Sequence, residues 1–188
     1  MIFETIVSTR DDAGRAHIAP MGIRREGQGI ILSPFRPSTT LEHILHEQCA
    51  VVNYVDDVRI FAGCLTGRYD WPTQPAERLS CPRLAAALAH SEVELQRVED
   101  DPMRPRLYCR ELLHASHGAF QGFNRAQSAV IEAAILVSRL NLLSQEKIDT
   151  EMAYLAIAVE KTAGPREQEA WGWLKTRIEE FRRKASAA

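Results

Sequence analysis

AHIAPMGIRREG, residues 16–27, mixes strand-forming residues with a proline and a glycine that disfavour the middle of a sheet. Proline donates nothing to a strand ladder and is confined to an edge or a bulge, whereas glycine lets another backbone or a flat ligand come close. Pro20 and Gly22 therefore mark either a simple edge-strand bulge or a place where the strand meets something other than a neighbouring strand. Both readings stand on these two residues. The stretch before it, IFETIVST at 2–9, is rich in β-branched residues, and DDAG at 11–14 supplies turn chemistry. Residues 15–26 thus read as the return strand of a hairpin.

Working outward, extended runs follow at 29–33 and 50–55. Between them RPSTTLEHILHEQ (36–48) sets Leu41, Ile44 and Leu45 at helical spacing behind hydroxyl residues suited to an N-cap. DVRIFAGCL (57–65) fits either one helical turn or a crossing loop. YDWPTQPAERLSCPR (69–83) holds three prolines and reads as an irregular connection, either a lid or an idle excursion. Its Tyr69 and Trp71 suit packing beneath the loop or stacking on a ring. SEVELQRVED (91–100) and RLYCRELLHAS (106–116) alternate as two longer antiparallel strands. About six strands over residues 1–118 match a small barrel.

After GAFQGF (118–123) the pattern becomes helical, with runs at 124–143, 145–163 and 167–184. Gly164-Pro165 is a helix stop followed by a favoured start. Ile148, Met152, Leu155, Ala156 and Val159 share one face of the second run, and Trp171, Leu174, Ile178 and Phe181 one face of the third. The expected division is a barrel over 1–122 and a helical subdomain over 123–188.

The chain has 188 residues, 45% hydrophobic and 26% charged, which predicts an ordinary globular protein able to bury a core without disulfides. No stretch reads as a membrane span, and Glu4 with no preceding basic run argues against a secretory signal. A cytoplasmic location is the expectation. A net charge of −2 lacks the basic footprint of a nucleic-acid binder, and Arg182–Lys184 reads as cations at a helix C-terminus. Cys49, Cys64, Cys81 and Cys109 form no CxxC pair and read as buried thiols.

Three places suit an anion or a flat cofactor. At Arg36, Ser38, Thr39 and Thr40 a helix N-terminus offers unpaired N–H groups beside hydroxyls and an arginine, although Thr39 and Glu42 also fit a self-satisfying capping box. At GFNRAQ (122–127) Asn124 is a good N-cap, and Arg125 in the first turn opposes the helix dipole, calling for a phosphate or a salt bridge with Glu132 of a partner chain. The third is the strand carrying Pro20 and Gly22. Asn53, within AVVNYV, either ties down the backbone or faces a ligand's polar edge. His43 with His46, and His114 with His117, lack a third ligand, so no metal is expected. Walker, GxGxxG, GxSxG and HExxH motifs are missing.

ETIVSTRDDAGRAHIAPMG, RPSTTLEHIL, VVNYVDDVRIFA and above all GFNRAQSAVIEAAILVSRL resemble a family of uncharacterised flavoproteins with the FMN-binding split-barrel fold, often encoded beside genes of tetrahydromethanopterin-linked one-carbon metabolism. The resemblance spans nearly the whole chain. It implies an α+β fold, a split β-barrel with a C-terminal three-helix unit, in a homodimer with one FMN per subunit near the interface. It also implies that Ala19, Pro20, Met21 and Gly22 run along the isoalloxazine ring, with the phosphate falling to Arg36, Ser38, Thr39, Thr40, Asn124 and Arg125. The expected function is an FMN oxidoreductase moving electrons between reduced nicotinamide and a small substrate such as a pterin. A flavin carrier or sensor, and a dimerising interaction module, are the alternatives.

Overall fold

The computed structural model describes residues 1–186. Its first unit comprises residues 1–55 and 69–120, its second residues 56–68 and 121–186. The helical unit thus takes in an excursion, 56–68, from the middle of the expected barrel segment.

In the first unit, β1 (Phe3–Arg10) and β2 (Ala16–Glu26) form the hairpin around the DDAG turn, where the Asp11 carboxylate accepts the N–H groups of Ala13 and Arg15. β3 (Gly29–Leu32), α1 (Thr39–Glu47) and β4 (Cys49–Tyr54) follow. After the excursion come the short β5 (Thr73–Gln74) and β6 (Arg83–Leu84), then the long β7 (Ala89–Glu99) and β8 (Arg106–Ser116). The six long strands close an antiparallel barrel in the order β1-β2-β3-β8-β7-β4, with β4 pairing back to β1. Alternate residues point inward, and Val7, Ile23, Ile30, Leu32, Val52, Val93 and Leu107 fill the interior with Leu41 and Ile44 of α1.

The 69–83 connection is not a free lid. Its second half, residues 76–84, is a strap fastened to outward-facing residues of the barrel. Ser8 Oγ donates to the Pro82 carbonyl at 2.6 Å. The Glu92 carboxylate accepts the backbone N–H groups of Glu77, Arg78 and Leu79 at 2.6, 2.8 and 2.9 Å. Asn53 Oδ1 accepts the Leu84 N–H at 2.7 Å, while Asn53 Nδ2 donates to the Ile6 carbonyl at 3.1 Å and Ser8 Oγ at 3.0 Å. Asn53 is fully buried. Both ends of its amide are spent on the chain, which removes it from the cofactor set expected from the sequence.

In the second unit, the ambiguous 57–65 stretch is helical: α2 (Arg59–Leu65). α3 (Arg125–Val137), α4 (Gln145–Thr162) and α5 (Pro165–Ser186) follow. α3 ends six residues before the expected 143. Its last turn tightens as Arg139 N–H bonds the Leu136 carbonyl, and Ser138 Oγ turns back onto the Ile135 carbonyl. Ala126, Ala129, Ala133 and Ala134 are buried on α3, and small residues there permit close helix packing. Ile148 and Val159 of α4 and Leu174 and Ile178 of α5 are buried, as the apolar faces predict. Arg59 joins Asp57 to Glu169 of α5, at 2.7 and 3.1 Å.

Asn53→Ala strands several buried polar groups at once, each costing about 1–3 kcal/mol when left unmade. Urea denaturation should show a loss of about 2–4 kcal/mol.

Candidate functional site

The loop that leads into α1 is held from outside by the β7–β8 turn. The Arg36 N–H donates to the Met103 carbonyl at 2.9 Å, and the Arg104 guanidinium bonds the Ser33 carbonyl at 3.1 Å while lying 4.5 Å from the Phe35 ring centre. The Arg36 side chain pairs with exposed Asp100 at 3.0 Å. An exposed pair of this kind contributes about 0–1 kcal/mol and yields readily to a stronger anion.

α1 is capped by Ser38, whose Oγ accepts the Leu41 N–H at 3.3 Å. This displaces the expected Thr39–Glu42 capping box by one residue, because the chain enters in extended form at Ser38. Thr39 and Thr40 are the first two helical residues, and their backbone N–H groups meet no acceptor among the described residues. The Thr39 side chain is exposed. The Thr40 hydroxyl is buried and bonded to His17 Nε2 at 3.1 Å, so Thr40 offers a ligand its backbone rather than its side chain. His17 lies edge-on to His43, ring centres 5.5 Å apart, and His43 Nδ1 bonds Thr9 Oγ1 at 3.0 Å. Burial, and then repulsion from His43, hold His17 below the usual imidazole range, so it is neutral beside the positive end of α1.

The His17–Thr40 bond seats the start of β2 against the start of α1. β3 covers β2 only from Ile23 onward, while β1 pairs with residues 16–23 without a register shift. Residues 16–22 therefore have a strand on one side only. That one-sided stretch answers what Pro20 does in a strand: it lies where half of the ladder is missing, and no bulge is needed. Gly22 has a further reason. A Cβ there would come 2.7 Å from Ile2 Cγ2, so the close neighbour in this structure is the chain's own Ile2. Met21 turns its side chain toward the barrel core, and its carbonyl accepts Thr5 Oγ1 at 2.8 Å. Ala19 and Pro20 are half-buried along the stretch that β3 does not cover.

Asn124 and Arg125 belong to the second unit. Asn124 is the N-cap of α3, accepting the Ala126 N–H at 2.8 Å and donating to the Thr162 carbonyl at 3.1 Å. Its amide ties the start of α3 to the end of α4. Arg125 is exposed and forms no ion pair among the described residues.

The histidine pairs split as well. His46 meets Asp12 at 3.2 Å and Glu47 at 3.5 Å, while Glu47 is already held by Arg10 at 2.7 Å. These three side chains are the one grouping of metal-capable atoms among the described residues, and ion pairing accounts for them. His114 turns to Ser91 at 3.0 Å, and His117 to His90 at 2.8 Å.

Sequence reasoning missed Glu92 and His90. Both are fully buried, and His90 Nε2 lies 3.2 Å from Glu92 Oε1. His90 Nδ1 meets His117 at the surface, forming a carboxylate–imidazole–imidazole chain. On an alternating strand they read as solvent-facing polar positions, and nothing in their spacing reveals the strap. Burial raises the Glu92 carboxyl, but three backbone N–H donors and His90 outweigh it and hold the group below the ordinary 4.5.

Family models match residues 3–117 and 124–176, both described as a protein of unknown function, DUF447. The chain belongs to the DUF447 family. No curated protein matches it. The DUF447 protein shares its fold with an FMN-bound protein of the same family from Methanosarcina mazei, with 23% identity, 94% of each chain covered and a TM-score of 0.82. It also resembles flavoredoxin from Methanosarcina acetivorans, with 15% identity, 62% of this chain and 69% of that one covered, and a TM-score of 0.55. A 2-nitrobenzoate 2-nitroreductase from Pseudomonas fluorescens matches at 19% identity, 61% and 64% coverage, and a TM-score of 0.54. The fold is thus the α+β flavin-binding split barrel. Among the described residues no helix is long and apolar enough to cross a membrane.

The depressed Glu92 carboxyl stabilises the fold above its unfolded value, and that contribution is lost as pH falls through the lower folded value. Chemical denaturation of wild type and Glu92→Gln from pH 7 to pH 3 should show the variant less stable at neutrality, with the gap narrowing as pH falls below about 4.5.

Proposed function

We propose that this DUF447 protein binds FMN, with the phosphate at the start of α1 and the isoalloxazine along the open edge of β2. The observation that carries the reading is the junction at His17 and Thr40, where two helix-start N–H groups that meet no acceptor among the described residues adjoin a stretch of β2 that β3 does not cover. An anionic group and a flat, hydrogen-bonding ring are the ligands such a junction suits. The FMN-bound relative from Methanosarcina mazei supports the choice of flavin. Thr39, Ser38 and the backbone of Thr40 would hold the phosphate, Arg36 would exchange Asp100 for it, and Ala19 and Pro20 would border the ring. From residue 17 to 22 the edge runs roughly 17 Å, room for a ring and its side chain.

The activity we infer is that of an FMN-dependent oxidoreductase. Bound flavin supplies hydride and electron transfer, and the chain supplies holding, orientation and control of access. Flavoredoxin and the nitroreductase among the fold relatives support an oxidoreductase in general terms. A pterin as substrate, reduced nicotinamide as donor, a homodimer with FMN near its interface, and a contact from Arg125 rest on the sequence resemblance alone.

Binding of FMN and riboflavin, followed by flavin fluorescence, tests the phosphate assignment. Wild type should prefer FMN by roughly 10- to 150-fold, the worth of one charge-assisted hydrogen bond. Thr39→Asp favours the helix dipole yet repels phosphate, so it should erase the preference while leaving thermal stability unchanged or slightly raised. Equal affinity of wild type for both flavins would overturn the phosphate site. In the holoprotein, NADH or NADPH oxidation with pterin acceptors no faster than free FMN supports would make it a flavin carrier instead.

A further inference from the structure

Cys49 opens β4 and Cys81 lies in the strap, 32 residues on, with their sulfurs 3.2 Å apart. Cys81 also donates to the Cys49 carbonyl at 3.7 Å. The contact is imposed by its surroundings. On one side of Cys81 the Leu79 N–H is fixed to Glu92, and on the other the Pro82 carbonyl is fixed to Ser8 and the Leu84 N–H to Asn53. Cys49 is held by the β4–β7 ladder. All four cysteines are reduced and buried, and this pair brings two sulfurs together.

We infer that Cys49 and Cys81 form an oxidisable dithiol, a modification site at which a peroxide-class oxidant closes an intramolecular disulfide and locks the strap onto the barrel. Joining the sulfurs needs them to close from 3.2 Å to a bond of ~2 Å, a local adjustment. The electron balance is complete with hydrogen peroxide. The Cys49 thiolate attacks one peroxide oxygen, the O–O bond breaks, and a proton from solvent completes one water, leaving a sulfenic acid. The Cys81 sulfur then displaces hydroxide from that sulfenic acid and its proton makes the second water. Both sulfurs are oxidised by one electron each and peroxide is reduced by two.

Cys49 is the sulfur suited to begin. A thiolate on Cys49 would accept a hydrogen bond from the Cys81 S–H 3.2 Å away, which favours it more than burial opposes it; Glu47 works against the charge and Arg10 in its favour. Cys49 also keeps 6% of its surface exposed, against none for Cys81. Burial instead pushes the Cys64 and Cys109 thiols up to about 11 and about 12. The reaction does not depend on bound flavin.

The test is titration of the native, full-length chain with hydrogen peroxide, followed by thiol counting and non-reducing peptide mapping. Reactive thiols after denaturation should fall from four to two, intact mass should drop by two hydrogens, and one crosslinked peptide should join Cys49 to Cys81. Melting temperature should rise by several degrees, reversibly with dithiothreitol, because the closed loop restricts the unfolded chain. Cys64→Ser should leave all of this intact and Cys81→Ser should abolish it. Four surviving thiols, a crosslink between other cysteines or between chains, or overoxidation of Cys49 without a crosslink would each overturn the inference.

Discussion

A carboxylate buried on the outside of a barrel strand is the constraint around which the first unit is arranged. Glu92 has no exposed surface, and an ionised group so placed is tolerable only with several donors on it. The strap supplies three from consecutive backbone positions and His90 a fourth. The dependence is mutual. A segment with three prolines and little secondary structure leaves its own N–H groups unmatched, and Glu92 and Asn53 satisfy four residues of it. Removing either side exposes the other's need.

That arrangement divides the barrel wall in two. β1 is shared between β4, whose outward residues Cys49, Val51 and Asn53 lie under the strap, and β2, whose first half β3 does not cover. The fastened side is satisfied by the chain itself. The side that β3 leaves uncovered begins where α1 presents its first N–H groups. Polar backbone that a fold leaves unmatched is where a ligand gains most from binding, because its hydrogen bonds replace water rather than protein partners. The same reasoning removes Asn53 and Asn124 from the site: both are good ligand-binding residues by type, and both have their amides occupied.

The six strands, the short helix and the three-helix unit were legible because each follows a local rule, whether β-branched alternation, a turn of DDAG, or Gly164-Pro165 between two apolar helical faces. Pro20 was legible as an edge residue for the same reason. What could not be read was long-range. Which hydroxyl caps α1 depends on where the chain bends at Ser38, and whether Thr40 is open depends on His17, 23 residues away. The burial of Glu92 depends on a strap whose own sequence has no periodicity. Gly22 shows the limit most plainly: its smallness fits a ligand and fits Ile2 equally well, and only coordinates separate the two.

The distribution of similarity bears on where specificity arises. The flavoredoxin and the nitroreductase cover 62% and 61% of this chain, close to the share that lies in the barrel unit, whereas the family member from Methanosarcina mazei covers 94%. Likeness at 15% and 19% identity is likeness of fold, and a fold does not by itself fix a substrate. Within the barrel, the residues at the α1–β2 junction that would meet a phosphate are generic: a serine cap, a threonine and free N–H groups. In the helical unit, the α3 start carries an arginine in the one turn where the helix dipole disfavours it, unpaired among the described residues. A cation kept at that cost is the helical unit's clearest departure from what its own stability asks.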